Sequence, residues 1–384
     1  MLVAIKKIEN YCKIYYKENN SRKEIKMKKL LIFGYTLDMG GAEKALVDMV
    51  KYLHRRVSID LYLLEKKGPL LKEIPKDVNV YQMKNNFFTY CLFRFVPMYR
   101  KWYINKIVNK KNYYAVFGYM EGRCGTWVAD ISKRIKKYAW IHNDVFKFDI
   151  GISDKEIRHT YNSVSKVICV SKESRDNFCQ KYNISKEKVM VIYNYIDEDE
   201  ILKKSLEFKV NNEKFTFVNV AKMRDQKRQD RLIMAAKYLK EKGYDFELQL
   251  IGDGPNLEKI KDMVYNYKLE DVVKILGLKT NPYPYVKAAD YFVFSSFMEG
   301  YGIVIKEALL LKTKIITTDV VGPREILENG KYGIIVPNDD KSIGPQMEDV
   351  MVHPEKYIFL DKNIDAYVGD NESIMHQVFD LLDL

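Results

Sequence analysis

In the stretch SSFMEGYGIVIKEAL, two carboxylates, Glu299 and Glu307, stand eight positions apart around a glycine-flanked loop. Upstream, in VAKMRDQKRQD, two ammonium groups, Lys222 and Lys227, stand five apart. Carboxylates so spaced can accept hydrogen bonds from sugar hydroxyls with a diphosphate lying between them. Paired cations can stabilise the negative charge that a nucleotide diphosphate develops as it leaves a sugar, in a site that binds no metal.

Both pairs need rigid platforms. The run YFVFSS at 291–296 is short, apolar and aromatic, suited to a buried parallel strand, and 303–311 carries helix formers. Glu299 is therefore expected in a strand-to-helix loop, and Glu307 about a turn and a half into the helix. Gly300 and Gly302 let the backbone approach a ligand closely, and the helix start offers free N–H groups and a positive dipole end. The amides of Gly300, Tyr301, Gly302 and Ile303 thus join the candidate anion-binding set. Lys222 and Lys227 follow the apolar run 215–220 and precede a helical pattern. Isolated glutamates or lysines at these spacings would ordinarily be solvated surface groups; the flanking strand, glycines and helix set these apart.

A chain of 384 residues exceeds what one hydrophobic core usually serves. Apolar runs recur at 58–64, 114–119, 138–141, 166–170 and 189–192, and a second series at 215–220, 246–251, 272–276, 291–294, 314–317 and 333–336. Helical or loop sequence separates them, which is the α/β signature and implies two parallel sheets. The expected division is a basic extension at 1–26, a Rossmann-like domain at 27–195, a second at 196–354, and a helical segment at 355–384 that returns to the first domain. MKKLLIFGYT reads as the apolar opening strand of the first domain, and Met27, with which it begins, is an alternative start. Cys12, Cys91, Cys124, Cys169 and Cys179 are scattered and lack CxxC spacing, arguing for a reducing compartment and against a disulfide framework or a zinc site. No apolar run approaches the roughly 20 residues that span a bilayer and no signal peptide is evident, so a cytoplasmic protein is expected.

The net charge of +12 is unevenly spread. Through Asp197 there are 38 Lys+Arg against 20 Asp+Glu (+18); the rest holds 26 against 32 (−6). Between residues 78 and 120 no acid occurs, while Lys84, Arg94, Arg100, Lys101, Lys106, Lys110 and Lys111 interleave with Phe87, Phe88, Tyr90, Phe93, Phe95, Tyr99, Trp102 and Tyr103. Cations near an anionic lipid surface contribute about 1 kcal/mol each and aromatic rings prefer the headgroup boundary. This segment is expected to sit on the inner face of the cell membrane; the bland alternative is a helix covering the core with its lysines solvated. No nucleic-acid module accompanies it, and nucleic acid is not an expected partner.

SSFMEGYGIVIKEAL resembles the Glu-x7-Glu motif of the retaining family-4 glycosyltransferases, and the similarity runs from about Lys28 to about Asp340. The resemblance implies the GT-B fold: two Rossmann-like domains with parallel sheets facing across a cleft. It implies that Glu299 binds hydroxyls of the donor sugar, that Glu307 binds the ribose, and that Lys227 and Lys222 contact the donor diphosphate. Arginine is common where Lys222 stands, and lysine lacks its bidentate fork, a loss that Arg224 or Arg228 would compensate. It further places Gly40 and Gly41 in a loop facing the donor phosphates, His142 near the transferred sugar, Gly252 to Pro255 in a turn near the nucleotide, and Gly322, Pro323 and Glu325 in a loop supporting it. Asn194 matches an asparagine at the interdomain crossing and reads as a hinge residue. No G-x-G-x-x-G with a downstream acid occurs, which counts against a nicotinamide-dependent dehydrogenase.

The expected function is transfer of a hexose or N-acetylhexosamine from a UDP-sugar, without a metal and without an Asp-x-Asp set against the phosphates. The expected acceptor is a lipid-linked glycan of bacterial cell-surface polysaccharide synthesis. The catalytic set is Glu299, His142 and Lys227. The alternatives are a catalytically silent membrane adaptor and a transferase acting on a soluble or protein acceptor.

Overall fold

Two wholly parallel sheets organise residues 27–83, 91–93, 95–367 and 369–384, which this computed structural model describes. The first holds β1 (Lys29–Gly34), β2 (Ser58–Leu63), β3 (Asn79–Gln82), β4 (Ala115–Gly118), β5 (Lys136–Ile141), β6 (Lys166–Cys169) and β7 (Val189–Val191), in the order β3-β2-β1-β4-β5-β6-β7. The second holds β8 (Phe215–Val220), β9 (Phe246–Ile251), β10 (Val273–Gly277), β11 (Tyr291–Phe294), β12 (Lys314–Thr318) and β13 (Ile334–Val336), in the order β10-β9-β8-β11-β12-β13. Helices cover both faces, so central strands such as KLLIFG and YFVF are apolar and buried at nearly every position. This is the two-lobed, mixed α/β architecture that the alternating runs predict.

In each sheet the strand order reverses once, between β1 and β4 and between β8 and β11, which pair directly across a gap in sequence. Ligands of open α/β sheets bind outside the carboxyl ends of strands at such reversals. Gly40 and Gly41 follow β1, His142 follows β5, Lys222 and Lys227 follow β8, and Glu299 follows β11. Topology alone therefore gathers the candidate residues to one edge of each sheet.

β3 escapes the sequence reading because it is a four-residue edge strand with no apolar run. Its pairing rests on polar contacts as well as on the ladder: Asn79 Nδ2 donates to Asp60 Oδ1 at 2.9 Å, beside Lys111 Nζ at 2.7 Å and Tyr113 Oη at 2.6 Å. The extension 1–26, with Cys12, lies outside the described residues, as do Lys84, Phe87, Phe88, Tyr90 and Arg94 of the basic aromatic segment.

The chain ends on the helix Asn371–Leu382, which buries Ile374, Met375, Val378, Phe379 and Leu382 against the first lobe. Tyr138 Oη donates to Leu381 O at 2.8 Å, Lys28 Nζ to Leu382 O at 2.9 Å, and Lys136 pairs with Asp383 at 2.7 Å. The seam between the lobes is apolar as well: one hydrophobic cluster runs from the first sheet into Phe292, Ile303, Ile305 and Leu309 of the second lobe. No helix among the described residues is long and apolar enough to cross a membrane.

Candidate active site

Glu299 lies in the loop after β11, and its carboxylate is ion-paired with Lys227. Both side chains keep some contact with solvent, 17% and 13% exposed respectively. The pairing is built from below. Phe297 N donates to Gln226 O at 2.9 Å, Gln226 Nε2 to Met298 O at 2.9 Å, and Ser295 Oγ to Lys227 O at 2.8 Å. These bonds tie the loop after β8 to the loop after β11. Lys227 Nζ also lies 5.2 Å over the Phe294 ring. Lys222 is exposed and has no side-chain partner among the described residues.

Arg228 does not stand in for an arginine at position 222. Left-handed backbone at φ 51° turns it away, and its guanidinium is spent on Asp230 and on Asp340 at 2.8 Å. Arg224 is exposed and faces Glu43 of the other lobe. Gly252 and Gly254 let the GDGP turn pass against the carbonyls of Ala221 and Met223, so this turn braces the Lys222 loop from behind.

The helix Ile303–Leu310 starts at Gly302, whose φ of 86° suits glycine and whose role as first-turn cap leaves the amides of the helix start unpaired by the helix itself. Glu307 lies one turn further in. Burial pushes its carboxyl up to about 7, against the pull of the Tyr283 hydroxyl, 3.1 Å from Oε1, and of Lys44 across the seam. The Tyr301 side chain does not reach the site. It is buried, stacked on Tyr193 at 5.5 Å and 21°, which leaves only its backbone to face a ligand. Ile303 is likewise buried, and a Cβ at Gly41 would meet its Cδ1 at 3.7 Å. The glycine loop of the first lobe and the helix start of the second therefore touch.

Closest approach comes at Gly300. A Cβ there would overlap the His142 carbonyl and lie 3.0 Å from Asn143 Cα. His142 is itself buried, with Nε2 2.6 Å from Tyr119 O. A carbonyl only accepts, so Nε2 carries the proton and Nδ1 is a bare acceptor, buried and unpartnered. Burial lowers its pKa, opposed by Glu121, and the ring is neutral near pH 7. Glu121 takes the His142 N–H at 3.1 Å and the Asn143 side-chain amide. Sequence reasoning missed Glu121, although the rule that found Glu299, an acid just past an apolar strand and beside a glycine, applies equally to MEG after β4.

Glu325 has a different place from the nucleotide-supporting one expected. It reaches across the seam to the Lys172 N–H at 2.8 Å and the Tyr193 hydroxyl, while Arg324 pairs with Glu173 at 2.9 Å and Asp319 at 2.6 Å. Gly322 earns its place by packing against the Tyr301 backbone, where no side chain fits. Asn194 is buried at the lobe junction. The chain does contain one Asp-x-Asp, Asp197 to Asp199, and it starts a helix: Asp197 Oδ1 accepts from Glu200 N at 3.0 Å. Among the described residues, Asp48, Glu73 and Glu200 converge closely enough to ligate a metal, but Lys44, Lys51 and Lys204 already fill that cluster with ammonium groups at 2.5–3.3 Å.

Two Rossmann-like lobes meeting through a glycine backbone beside an acid and ammonium pair define a GT-B glycosyltransferase. Residues 39–200 match the family described as Glycosyltransferase Family 4, and residues 200–364 match Glycosyl transferases group 1. The chain belongs to this family. It is 26% identical over 344 residues, 86% of this chain and 92% of the relative, to the N-acetylgalactosamine-N,N'-diacetylbacillosaminyl-diphospho-undecaprenol 4-alpha-N-acetylgalactosaminyltransferase of Campylobacter jejuni. It is 26% identical over 199 residues, 50% of this chain and 49% of the relative, to the N-acetyl-alpha-D-glucosaminyl L-malate synthase of Bacillus anthracis. Its fold matches that of Anabaena HepE solved with UDP and glucose, with a TM-score of 0.74 at 22% identity over 93% of this chain and 99% of that one.

Two outcomes follow from this geometry. Gly300→Ala holds the lobes apart at the His142 carbonyl; turnover falls about 100-fold, as for a misplacement near 1 Å, while small-angle scattering shows a larger radius of gyration and the melting profile is kept. An unchanged radius with full turnover refutes the contact. For Glu307 the folded carboxyl holds its proton up to about 7 against an ordinary 4.5, so its contribution to stability declines as pH rises between those values and is flat above. Glu307→Gln therefore raises Tm at pH 8, and the gain shrinks towards pH 4; a pH-independent change in Tm contradicts the shift.

Proposed function

We propose that this chain transfers a hexose or N-acetylhexosamine from a UDP-sugar to a hydroxyl of a lipid-linked glycan in bacterial cell-surface polysaccharide synthesis, with retention of anomeric configuration. The observation that carries this reading is the Lys227 and Glu299 pair beside the Gly300 and His142 contact. There a cation suited to a leaving diphosphate and a carboxylate suited to sugar hydroxyls share one hydrogen bond, at the carboxyl ends of both sheets.

In the proposed cycle the donor diphosphate takes Lys227 from Glu299, joined by Lys222 and the amides of the Gly300 to Ile303 loop, with Gly40 and Gly41 closing from the facing lobe. Glu299, released, accepts from hydroxyls of the donor sugar. Glu307, with Tyr283 beside it, accepts from the ribose. His142 Nδ1 accepts one further hydroxyl. The bond from the anomeric carbon to the phosphate oxygen breaks with its electron pair going to UDP. The acceptor oxygen bonds to the same face of that carbon and passes its proton to the departing phosphate. Double displacement needs a second free carboxylate as nucleophile, and Glu121, the acid beside His142, is held by two N–H donors. Departure from the front face is the simpler course, and the lysines supply the charge stabilisation that a metal would otherwise give.

The C. jejuni relative, whose name specifies a diphospho-undecaprenol-linked substrate, supports the acceptor class. A lipid-linked acceptor calls for a membrane-facing surface, and the helix Pro97–Asn109 offers Met98, 84% exposed, and Trp102, 55% exposed, with Lys101 beside them and Lys106 over the Trp102 ring at 4.8 Å. Arg100 drops out of the expected lipid-binding set, because it is 15% exposed and paired with Asp130 at 2.6 Å.

Purified protein incubated with a panel of UDP-sugars and undecaprenyl-diphosphate-linked glycans releases UDP, and Lys227→Ala lowers kcat/KM by about 100- to 1,000-fold. Failure of every UDP-sugar to bind or to shift Tm overturns the UDP-sugar donor, and failure of every nucleotide-sugar favours a silent adaptor. Sedimentation with vesicles containing phosphatidylglycerol, but not with neutral vesicles, recovers the protein in the pellet, and Lys101→Glu with Trp102→Ala returns it to the supernatant. Equal recovery of wild type and variant would rule out this helix as the lipid contact.

A further inference from the structure

Outside the catalytic seam, the first lobe encloses a cavity of about 150 Å³ lined by Leu64, Phe93, Arg100, Arg123, Trp127 and Glu156, among others. It opens on the carboxyl edge of the first sheet: Leu64 follows β2 and Arg123 follows β4. It is also wired to the histidine segment. Trp127, its floor, packs on Tyr35 at 5.9 Å; Tyr35 Oη accepts from Arg123 N at 3.0 Å and donates to Glu121 O at 2.9 Å; and Glu121 holds His142.

The lining has the composition of a ligand site. Phe93 and Trp127 meet edge to face at 5.4 Å and form an apolar floor. Arg100 spends its Nε on Asp130. Arg123 is half-buried, and its guanidinium has no hydrogen-bond or ion-pair partner among the described residues. Glu156, the acid of the lining, is not within ion-pair distance of it. A partly shielded guanidinium without a protein partner is available to an incoming oxyanion, which it can meet with charge-assisted, bidentate geometry. Glu156 accepts hydrogen bonds and rejects a second anion. A cavity of this volume admits a molecule of about benzene size, which is the size of a phosphate or carboxylate with the carbons that bear it.

We propose that this cavity is an acceptor subsite that takes an anionic substituent of a glycan, a sugar phosphate or a sugar carboxylate, on Arg123, with a neighbouring hydroxyl donating to Glu156 and the ring carbons resting on Phe93 and Trp127. The proposal rests on the transferase reading for its meaning, since it selects among acceptors presented beside His142. It makes the enzyme specific for acidic acceptors or for the sugar nearest a phosphate linkage.

Saturation-transfer NMR on the full chain decides it, with N-acetylglucosamine 1-phosphate, glucuronate and methyl N-acetylglucosaminide as probes and UDP as an independent ligand. At least one anionic probe binds saturably below 50 mM, and the neutral glycoside binds about tenfold more weakly or not at all. Arg123→Gln removes that preference, Glu156→Gln weakens the same probe less, and UDP binding is unchanged in both. Preference for the phosphate identifies a phosphorylated sugar, and preference for glucuronate a uronate. Absence of saturable binding by either anion, neutral and anionic probes binding alike, or an anionic preference that survives Arg123→Gln each overturns the subsite. Loss of UDP binding by the wild type would instead strike the transferase reading itself.

Discussion

The contact on which the rest of the site depends is backbone on backbone: Gly300 of one lobe against the His142 carbonyl of the other, at a separation that no Cβ tolerates. Because peptide planes meet there, nothing at that point can adjust by a rotamer change. The loop after β11 and the segment after β5 are consequently held in mutual register, and every functional group within a few residues inherits that register. The short helix Val321–Ile326 reinforces it. Gly322 packs under Tyr301, Tyr301 stacks on Tyr193, and Glu325 and Arg324 bond to the other lobe at Lys172, Glu173 and Tyr193. What sequence resemblance reads as a nucleotide support is, in this closed arrangement, a clasp between lobes.

The clasp explains why a second set of groups can carry unusual ionisation. Glu307 and Asp48 both hold their protons more tightly than ordinary carboxylic acids, to about 7 and about 6, because burial outweighs the lysines that oppose it. They sit on opposite sides of the seam and share Lys44 as a common influence. An opening of the lobes would hydrate both, so lobe closure and proton uptake are thermodynamically linked. The sign is fixed by the direction of the shifts: lower pH favours the closed form, whereas the proposed acceptance of ribose hydroxyls calls for anionic Glu307. On that proposal, nucleotide binding near pH 7 would work against a desolvated acid, partly relieved by hydrogen bonds from the hydroxyls.

Much of this was legible in the residues. Apolar runs located twelve of the thirteen strands because parallel strands buried on both faces cannot hide; β3 did not register because a short edge strand need not be apolar. The loop and helix positions of Glu299, Glu307 and Lys227 follow from strand ends and glycines, whereas the pairing of Lys227 with Glu299 depends on the adjacency of β8 and β11, which only the fold shows. Less could be read where long-range packing decides. Arg228 and Arg100 look available in sequence and are committed to acids 112 and 30 residues away. Tyr301 sits in the loop that should meet the ligand, yet its ring turns inward to Tyr193. Glu121 carried the right local signature and was lost among ordinary acids because its partners, His142 and Asn143, arrive from the next strand.

The charge distribution bears on how an acidic lobe can receive a nucleotide. Residues after Asp197 carry a net −6, yet the proposed ligand is a dianion or more. Long-range attraction from that lobe is therefore absent, and binding has to rest on short-range groups: Lys222 free at the rim, Lys227 already oriented, and the amides of one helix start. Glu299 gives the Lys227 ammonium its carboxylate partner. In the proposed cycle, exchange of a carboxylate for a phosphate on Lys227 would leave local charge nearly balanced and would release Glu299 toward the sugar. On the proposed cycle, donor binding and the exposure of a hydroxyl-binding carboxylate would be a single event, coupling recognition of the nucleotide to recognition of the sugar it carries.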